Sequence, residues 1–297
     1  MQKEGIGLER VGLVLEGGGM RGVYTGGVLE CFLEHGIRMP YIIGVSAGAC
    51  NAASYISGQK GRNKRVTIDY VSHPRYVGVR NLFREKSIFG WSLIFDELPN
   101  KLVPFDYEAF YRDSGNLWIG MTDAVTGGPV YVEKRETEAA GNILDMIRAS
   151  SSLPFVSPPV LAGGKVLFDG GISDPIPVGK SIADGNGRHV IISTKPAGYR
   201  KTPFKHGWLA RRMYRKYPGL VEALENRYQI YNRSMELAEE LERQGKAVLI
   251  RPSAHIEVGR MTKDQAKLTE LYELGYRDAE EQLTRVKEWV ETPAALA

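Results

Sequence analysis

Apolar positions along this chain follow two rhythms. Unbroken runs at 11–15, 41–44, 189–193 and 247–250 read as strands buried on both faces, because a strand covered on one side only would alternate apolar and polar residues. Elsewhere apolar residues recur at helical spacing. Val23, Gly27, Leu29, Phe32 and Leu33 mark a helix over 20–35 that Gly36 stops, and 47–57 reads as a second helix. The chain therefore opens strand–helix–strand–helix, the order of a parallel, doubly wound sheet. Residues 117–121 and 129–132 read as two strands joined by a turn-rich hairpin at 123–128. A helix follows at 142–151, then a strand at 165–168 that ends in Asp169-Gly170-Gly171.

Two stretches depart from this order. Residues 58–65 form a linker rich in glycine and basic residues, and from there to 113 the pattern is short and irregular, with helical stretches near 66–71, 91–98 and 107–111. Insertions of this kind in α/β proteins often cover a site, so this one is a candidate lid or channel wall. Further on, no Asp or Glu occurs between Asp184 and Glu222. Lys201, Lys205, Arg211, Arg212, Arg215 and Lys216 crowd there with Phe204, Trp208, Tyr214 and Tyr217. Long charged helices over 220–244 and 262–290 then flank a last strand.

Composition adds little to this picture. With 297 residues, 43% hydrophobic and 25% charged, the chain can bury a large core. A net charge of +4 does not mark a nucleic-acid binder, and none is expected. The basic-aromatic segment at 200–217 reads either as a solvated helix with its rings packed inward or as a contact for an anionic membrane. The first ten residues lack the apolar core of a signal peptide, and no apolar run is long enough to span a bilayer. Cys31 and Cys50 both fall in predicted helices and read as free thiols. These features predict a cytoplasmic protein, with peripheral contact to the inner face of the membrane left open.

Three pieces carry chemistry. In Gly44-Val45-Ser46-Ala47-Gly48, a serine sits between a predicted strand and a predicted helix, which is the context of a nucleophile elbow; the plain alternative is a helix-capping serine. Gly17-Gly18-Gly19-Met20-Arg21-Gly22 offers backbone N–H groups that can stabilise an oxyanion, joined by the N–H of Ala47, while Arg21 contacts a phosphate or steadies the loop. The same loop spells the Gly-x-Gly-x-x-Gly dinucleotide fingerprint. That fingerprint also needs an acid at the end of the second strand, and no Asp or Glu lies between Glu34 and Asp69. Asp169 is a candidate proton acceptor for Ser46, or the start of an ordinary turn. Among the histidines only His255, after the last predicted strand, stands where a triad histidine would; His35, His73, His189 and His206 read as structural or solvated. No metal-ligand spacing occurs, so neither a metal nor a cofactor is expected.

The Gly-Gly-Gly-Met-Arg-Gly loop, the Gly-Val-Ser-Ala-Gly elbow, Ala149-Ser150-Ser151-Ser152-Leu153-Pro154 and Asp-Gly-Gly, in this order, resemble the patatin-like phospholipase family over about residues 10–195. The resemblance implies a three-layer α/β/α sandwich with a mostly parallel central sheet, plus a helical C-terminal extension. It implies a Ser-Asp dyad without histidine: Ser46 as nucleophile, Asp169 as base, and Gly17, Gly18, Gly19 and Ala47 as the oxyanion hole. Arg21, Gly44, Gly48 and Gly170 would support that site, and the serine-rich stretch before Pro154 would help shape it. Residues 1–197 are then the catalytic domain, and 198–297 a mostly helical region contributing a late strand at 247–251. The shape of the whole chain, with its charged helical C-terminal third, resembles bacterial intracellular members, and that third carries no lipase motif. The expected activity is hydrolysis of lipid acyl esters, of the phospholipase A, lysophospholipase or esterase type. Acyl transfer to an alcohol, or lipid binding without catalysis, is the alternative.

Overall fold

Strand β1 (Arg10–Leu15) pairs in parallel with β2 (Tyr41–Val45) on one side and β7 (Asn186–Ile192) on the other. Between β2 and β7 in the chain come β3 (Asn116–Asp123), β4 (Pro129–Glu133), β5 (Val160–Ala162) and β6 (Lys165–Asp169), and β8 (Ala247–Ile250) comes last. In this computed structural model, which describes residues 10–138 and 143–291, the eight strands form one sheet in the order β5-β6-β3-β2-β1-β7-β8, with β4 paired to β3. The run β3-β2-β1-β7-β8 is parallel, while β4, β6 and β5 are antiparallel to their neighbours. The polar stretch 1–9 and Asn142, where the helix 142–151 was expected to begin, lie outside the described residues.

The unbroken apolar runs are buried on both faces, as predicted. Successive side chains point to opposite sides of a strand, so Leu13, Leu15 and Ile42 enter one core while Val14 and Ile43 enter another. Helices α1 (Val23–Glu34) and α2 (Ala47–Ile56) cover the first face. The result is a three-layer α/β/α sandwich with a mostly parallel sheet.

The insertion holds wide π-helical turns at Arg65–Asp69 and Leu93–Leu102 where α-helix was expected, and Pro99 inside the second lacks the N–H that a regular helix needs. It also holds a helix the pattern did not predict, α3 (Val79–Glu85). Val79, Leu82 and Phe83 are exposed, and α3 is anchored instead by the buried Asn81 amide, which donates to the carbonyls of Arg75 and Ile88. With no inward apolar stripe there is no period to detect. Helix α4 (Tyr107–Arg112) closes this region, and α5 (Ile143–Ser150) and α6 (Val178–Ala183) follow. Helix 20–35 is also modified. Its first turn, Gly19–Gly22, is a 3-10 turn, because Gly19 has φ +58° and the Met20 N–H donates to the Arg260 carbonyl at 3.1 Å.

Helix α7 (Gly207–Met213) leads into the two long C-terminal helices, α8 (Pro218–Arg243) and α9 (Gln265–Glu291). Tyr231, Met235 and Ala238 of α8 join the core behind Val14 and Ile43, and Leu268, Leu271 and Tyr272 of α9 join the core over α1. Helices α1 and α9 cross at bare backbone. A Cβ at Gly27 would stand 1.9 Å from the Tyr272 carbonyl oxygen, and one at Gly275 would stand 2.2 Å from that of Tyr24. The Tyr24 hydroxyl donates to Asp278 across the same crossing at 2.7 Å. Gly27→Ala is expected to force these helices apart and cost about 1–3 kcal/mol or more, read as a lowered Tm in thermal unfolding.

Both cysteines are free thiols, Cys31 in α1 and Cys50 in α2. His189 lies buried three residues into β7, its ring nitrogen 3.1 Å from the Ser181 hydroxyl, and burial pushes its pKa down to about 4.

Candidate active site

Ser46 ends β2 and caps α2 with φ +54° and ψ −123°, a conformation that L-residues rarely adopt. The flanking glycines make the bend feasible. A Cβ at Gly44 would meet the Ala49 nitrogen at 2.8 Å, and one at Gly48 would meet the Leu15 carbonyl at 2.6 Å. The elbow is braced from outside as well. The Ser46 N–H donates to the Ser150 hydroxyl at 2.8 Å, and that hydroxyl donates to the Gly120 carbonyl at 2.6 Å. Ser150 lies in the serine-rich stretch at the end of α5, and this is a specific task for one of those serines.

Asp169 reaches Ser46 through strand order. On one edge β3 pairs with β4 over residues 118–122; on the other it pairs first with β2, Val45 opposite Gly120, and then with β6, Asp169 opposite Met121. Strands β2 and β6 thus meet end to end along one edge of β3, and Ser46 and Asp169 stand at the junction. A Cβ at Gly170 would lie 2.2 Å from the Gly120 carbonyl, so this join also requires glycine. Asp169 is 2% exposed and Ser46 6% exposed. The carboxylate accepts the Gly171 N–H at 2.7 Å and lines the same recess as Ser46. Burial raises its pKa; the Arg227 guanidinium, the Ser46 hydroxyl and the Gly171 N–H act in the opposite sense.

The glycine loop packs directly on this pair. A Cβ at Gly17 would meet the Val45 carbonyl at 3.0 Å and the Ser46 Cβ at 3.1 Å, and one at Gly22 would meet the Ala47 Cβ at 2.5 Å. No described residue accepts a hydrogen bond from the N–H groups of Gly17, Gly18, Gly19 or Ala47, so these donors remain available to a ligand.

Two recesses open at Ser46. One is apolar, with a cavity volume of about 120 Å³, and is walled by Met20, Val66, Tyr76, Phe89, Ile94 and Phe95, all but Met20 from the irregular insertion. Ala47 and Cys50 also face it, and burial pushes the Cys50 thiol up to about 11. The other recess is polar and holds Gly17, Gly18, Gly19, Asp169 and Arg21, together with Glu16, Lys195, Lys201, Arg227 and Arg260. No local pattern marks this last group as a unit, because its members are scattered from residue 16 to 260 and only folding unites them. His255 is exposed and lines a separate recess that Ser46 does not reach. Among the described residues, no group of His, Cys, Asp or Glu is arranged to hold a metal ion.

A sequence profile for the patatin-like phospholipase family matches residues 13–181, and one for a domain of unknown function, DUF6363, matches 217–291. The chain is similar to the uncharacterized protein YjjU of Escherichia coli (strain K12), 30% identical over 226 residues, which are 74% of this chain and 62% of that protein. Lysophospholipase NTE1 of Kluyveromyces lactis is 26% identical over 298 positions, covering 96% of this chain and 20% of that protein. Its counterpart in Candida albicans is 24% identical over 295 positions, with 92% and 20% covered. The chain therefore spans under two thirds of the bacterial relative and about a fifth of the fungal ones. Among solved structures, VipD from Legionella pneumophila is 15% identical, with a TM-score of 0.48 over 93% of this chain and 67% of that one.

Proposed function

The chain belongs to the patatin-like phospholipase family, and on that premise we propose that it hydrolyses lipid acyl esters through Ser46 and Asp169. The observation that carries this reading is that Ser46 and Asp169, both buried, line one polar recess while Ser46 also opens on an apolar one. The acyl chain occupies the apolar recess, each buried methylene contributing about 0.8 kcal/mol. Ser46 Oγ attacks the ester carbonyl while Asp169 accepts the hydroxyl proton. The free N–H groups of the glycine loop and of Ala47 hold the oxyanion, each such donor contributing about 2.7–4 kcal/mol to the transition state. Asp169 then protonates the departing alcohol as its C–O bond breaks, leaving an acyl-serine. Water, deprotonated by the same carboxylate, attacks the acyl carbon; the proton returns to Ser46 Oγ, and a free fatty acid leaves. The similarity to proteins named lysophospholipases supports this choice of ester. The test is fluorophosphonate labelling of Ser46 together with product analysis on a lysophospholipid panel. Labelling with fatty acid release supports the reading. Acyl transfer to an added alcohol in place of release, or absence of labelling with vesicle binding retained, overturns it.

The substrate surface fits the same reading. No helix among the described residues is long and apolar enough to cross a membrane. In the basic-aromatic segment Tyr214 packs inward, its hydroxyl accepting the Phe155 N–H at 2.7 Å, while Trp208 is 64% and Met213 53% exposed beside Lys205 and Arg212. We infer that this face rests on anionic membranes, rings and Met at the interface and cations on the headgroups. At ~1 kcal/mol per basic residue, Lys205→Gln with Arg212→Gln is expected to weaken co-sedimentation with phosphatidylglycerol vesicles by on the order of tenfold or more. Unchanged binding would discard this face.

A further inference from the structure

We propose that the polar recess beside Ser46 is a subsite for the phosphate group of the substrate, and that the C-terminal region builds it. This rests on the hydrolase reading of Ser46. Arg21, Lys195, Lys201, Arg227 and Arg260 line one small recess with only two carboxylates, Glu16 and Asp169. Both carboxylates are engaged elsewhere. Glu16 accepts the Ser193 hydroxyl at 2.8 Å and the Thr194 N–H at 2.6 Å, and Asp169 accepts the Gly171 N–H at 2.7 Å. None of the five cations is within ion-pairing distance of a described carboxylate. Their contacts are of other kinds: Lys195 lies over the Tyr199 ring, Lys201 over the Tyr231 ring, and Arg227 Nε donates to the Gly171 carbonyl at 2.5 Å. Among the described residues the buried Arg21 Nε has no hydrogen-bond partner.

Five cations facing two carboxylates leave excess positive charge in a half-dehydrated recess, which is costly, and an incoming anion relieves that cost. Lys201 registers it: burial, with Arg227, Arg260 and Arg21 nearby, pushes its pKa down to about 6. An anion bound there would raise that pKa again. Arginine forks match phosphate oxygens in a way that scattered surface lysines do not. Position selects the ligand further. An ester carbonyl at Ser46 with its acyl chain in the apolar recess leaves its alcohol half facing the cations, and a glycerol phosphate carries its phosphorus only a few bonds from the ester. Lys201, Arg227 and Arg260 lie outside the patatin-like match, and Arg227 and Arg260 fall within the stretch matched by DUF6363. The inference gives that stretch a task, reading the phosphate of the ester that Ser46 cleaves.

The test compares 1-oleoyl-lysophosphatidate with 1-oleoylglycerol in uncharged detergent micelles. The two share one acyl chain and one ester and differ only in the phosphate. Wild type is expected to favour the phosphate ester by about 100-fold in kcat/KM. Lys201→Gln and Arg260→Gln should each lower that ratio by about tenfold, mainly through KM, while Arg233→Gln, an exposed cation on α8, keeps the wild-type ratio. A second arm measures binding of glycerol 3-phosphate and of inorganic phosphate to Ser46→Ala by calorimetry. Tighter binding of glycerol phosphate, lost in Arg260→Gln, supports the subsite even if no ester is turned over, which would sink the hydrolase reading alone. Equal turnover of both esters with binding of inorganic phosphate only assigns the recess to free phosphate and overturns the headgroup assignment. Equal turnover without binding of either anion overturns the subsite altogether.

Discussion

Ser46→Ala is expected to lower kcat for ester hydrolysis on the order of 10³-fold or more and to abolish fluorophosphonate labelling, with the fold intact. The fold is spared because the Ser46 side chain makes no capping bond to α2, and the brace to Ser150 uses the backbone N–H, which alanine retains. The strained φ of +54° is common to both residues and does not distinguish the variant from wild type. Esterase assays with p-nitrophenyl butyrate and Tm measurements read the two effects separately. Turnover within about tenfold of wild type would remove Ser46 as the nucleophile.

Asp169→Asn carries the second large effect, a loss on the order of 10³-fold in kcat. The amide oxygen can still accept the Gly171 N–H, so the turn at the end of β6 persists, but an amide cannot take the serine proton. His255→Ala is the matching control, since His255 is exposed and lines another recess; it is expected to leave kcat within about twofold of wild type. A large loss there would replace the dyad by a triad. The pH profile adds a sign. Burial holds the Asp169 pKa above its ordinary value, and the base works only when ionised, so kcat falls as pH drops through that raised pKa. Arg227 pulls the pKa down, so Arg227→Gln should move the acid limb to higher pH. An acid limb that stays in place would mean that Asp169 is not the titrating base.

The elbow was legible in the sequence because everything it needs is local: a strand, two glycines with no room for a Cβ, a serine and a helix start lie within nine residues of each other. The same holds for the glycine loop and for the strands buried on both faces. Helix α3 was not legible, because its anchor is a single buried asparagine and its apolar side chains face outward. The brace from Ser150 to Ser46 joins residues that are 104 apart, and no local pattern encodes it.

The sequence by itself determined the layer architecture and the identity of the candidate serine, loop and carboxylate, since side-chain period and glycine placement act over a few residues. Tertiary structure alone decided that Asp169 meets Ser46, because antiparallel β6 continues the edge of β3 where parallel β2 leaves it. It also decided that five cations from distant segments face the same pair. Charge clustering of this kind depends on distance in space, to which spacing along the chain gives no access.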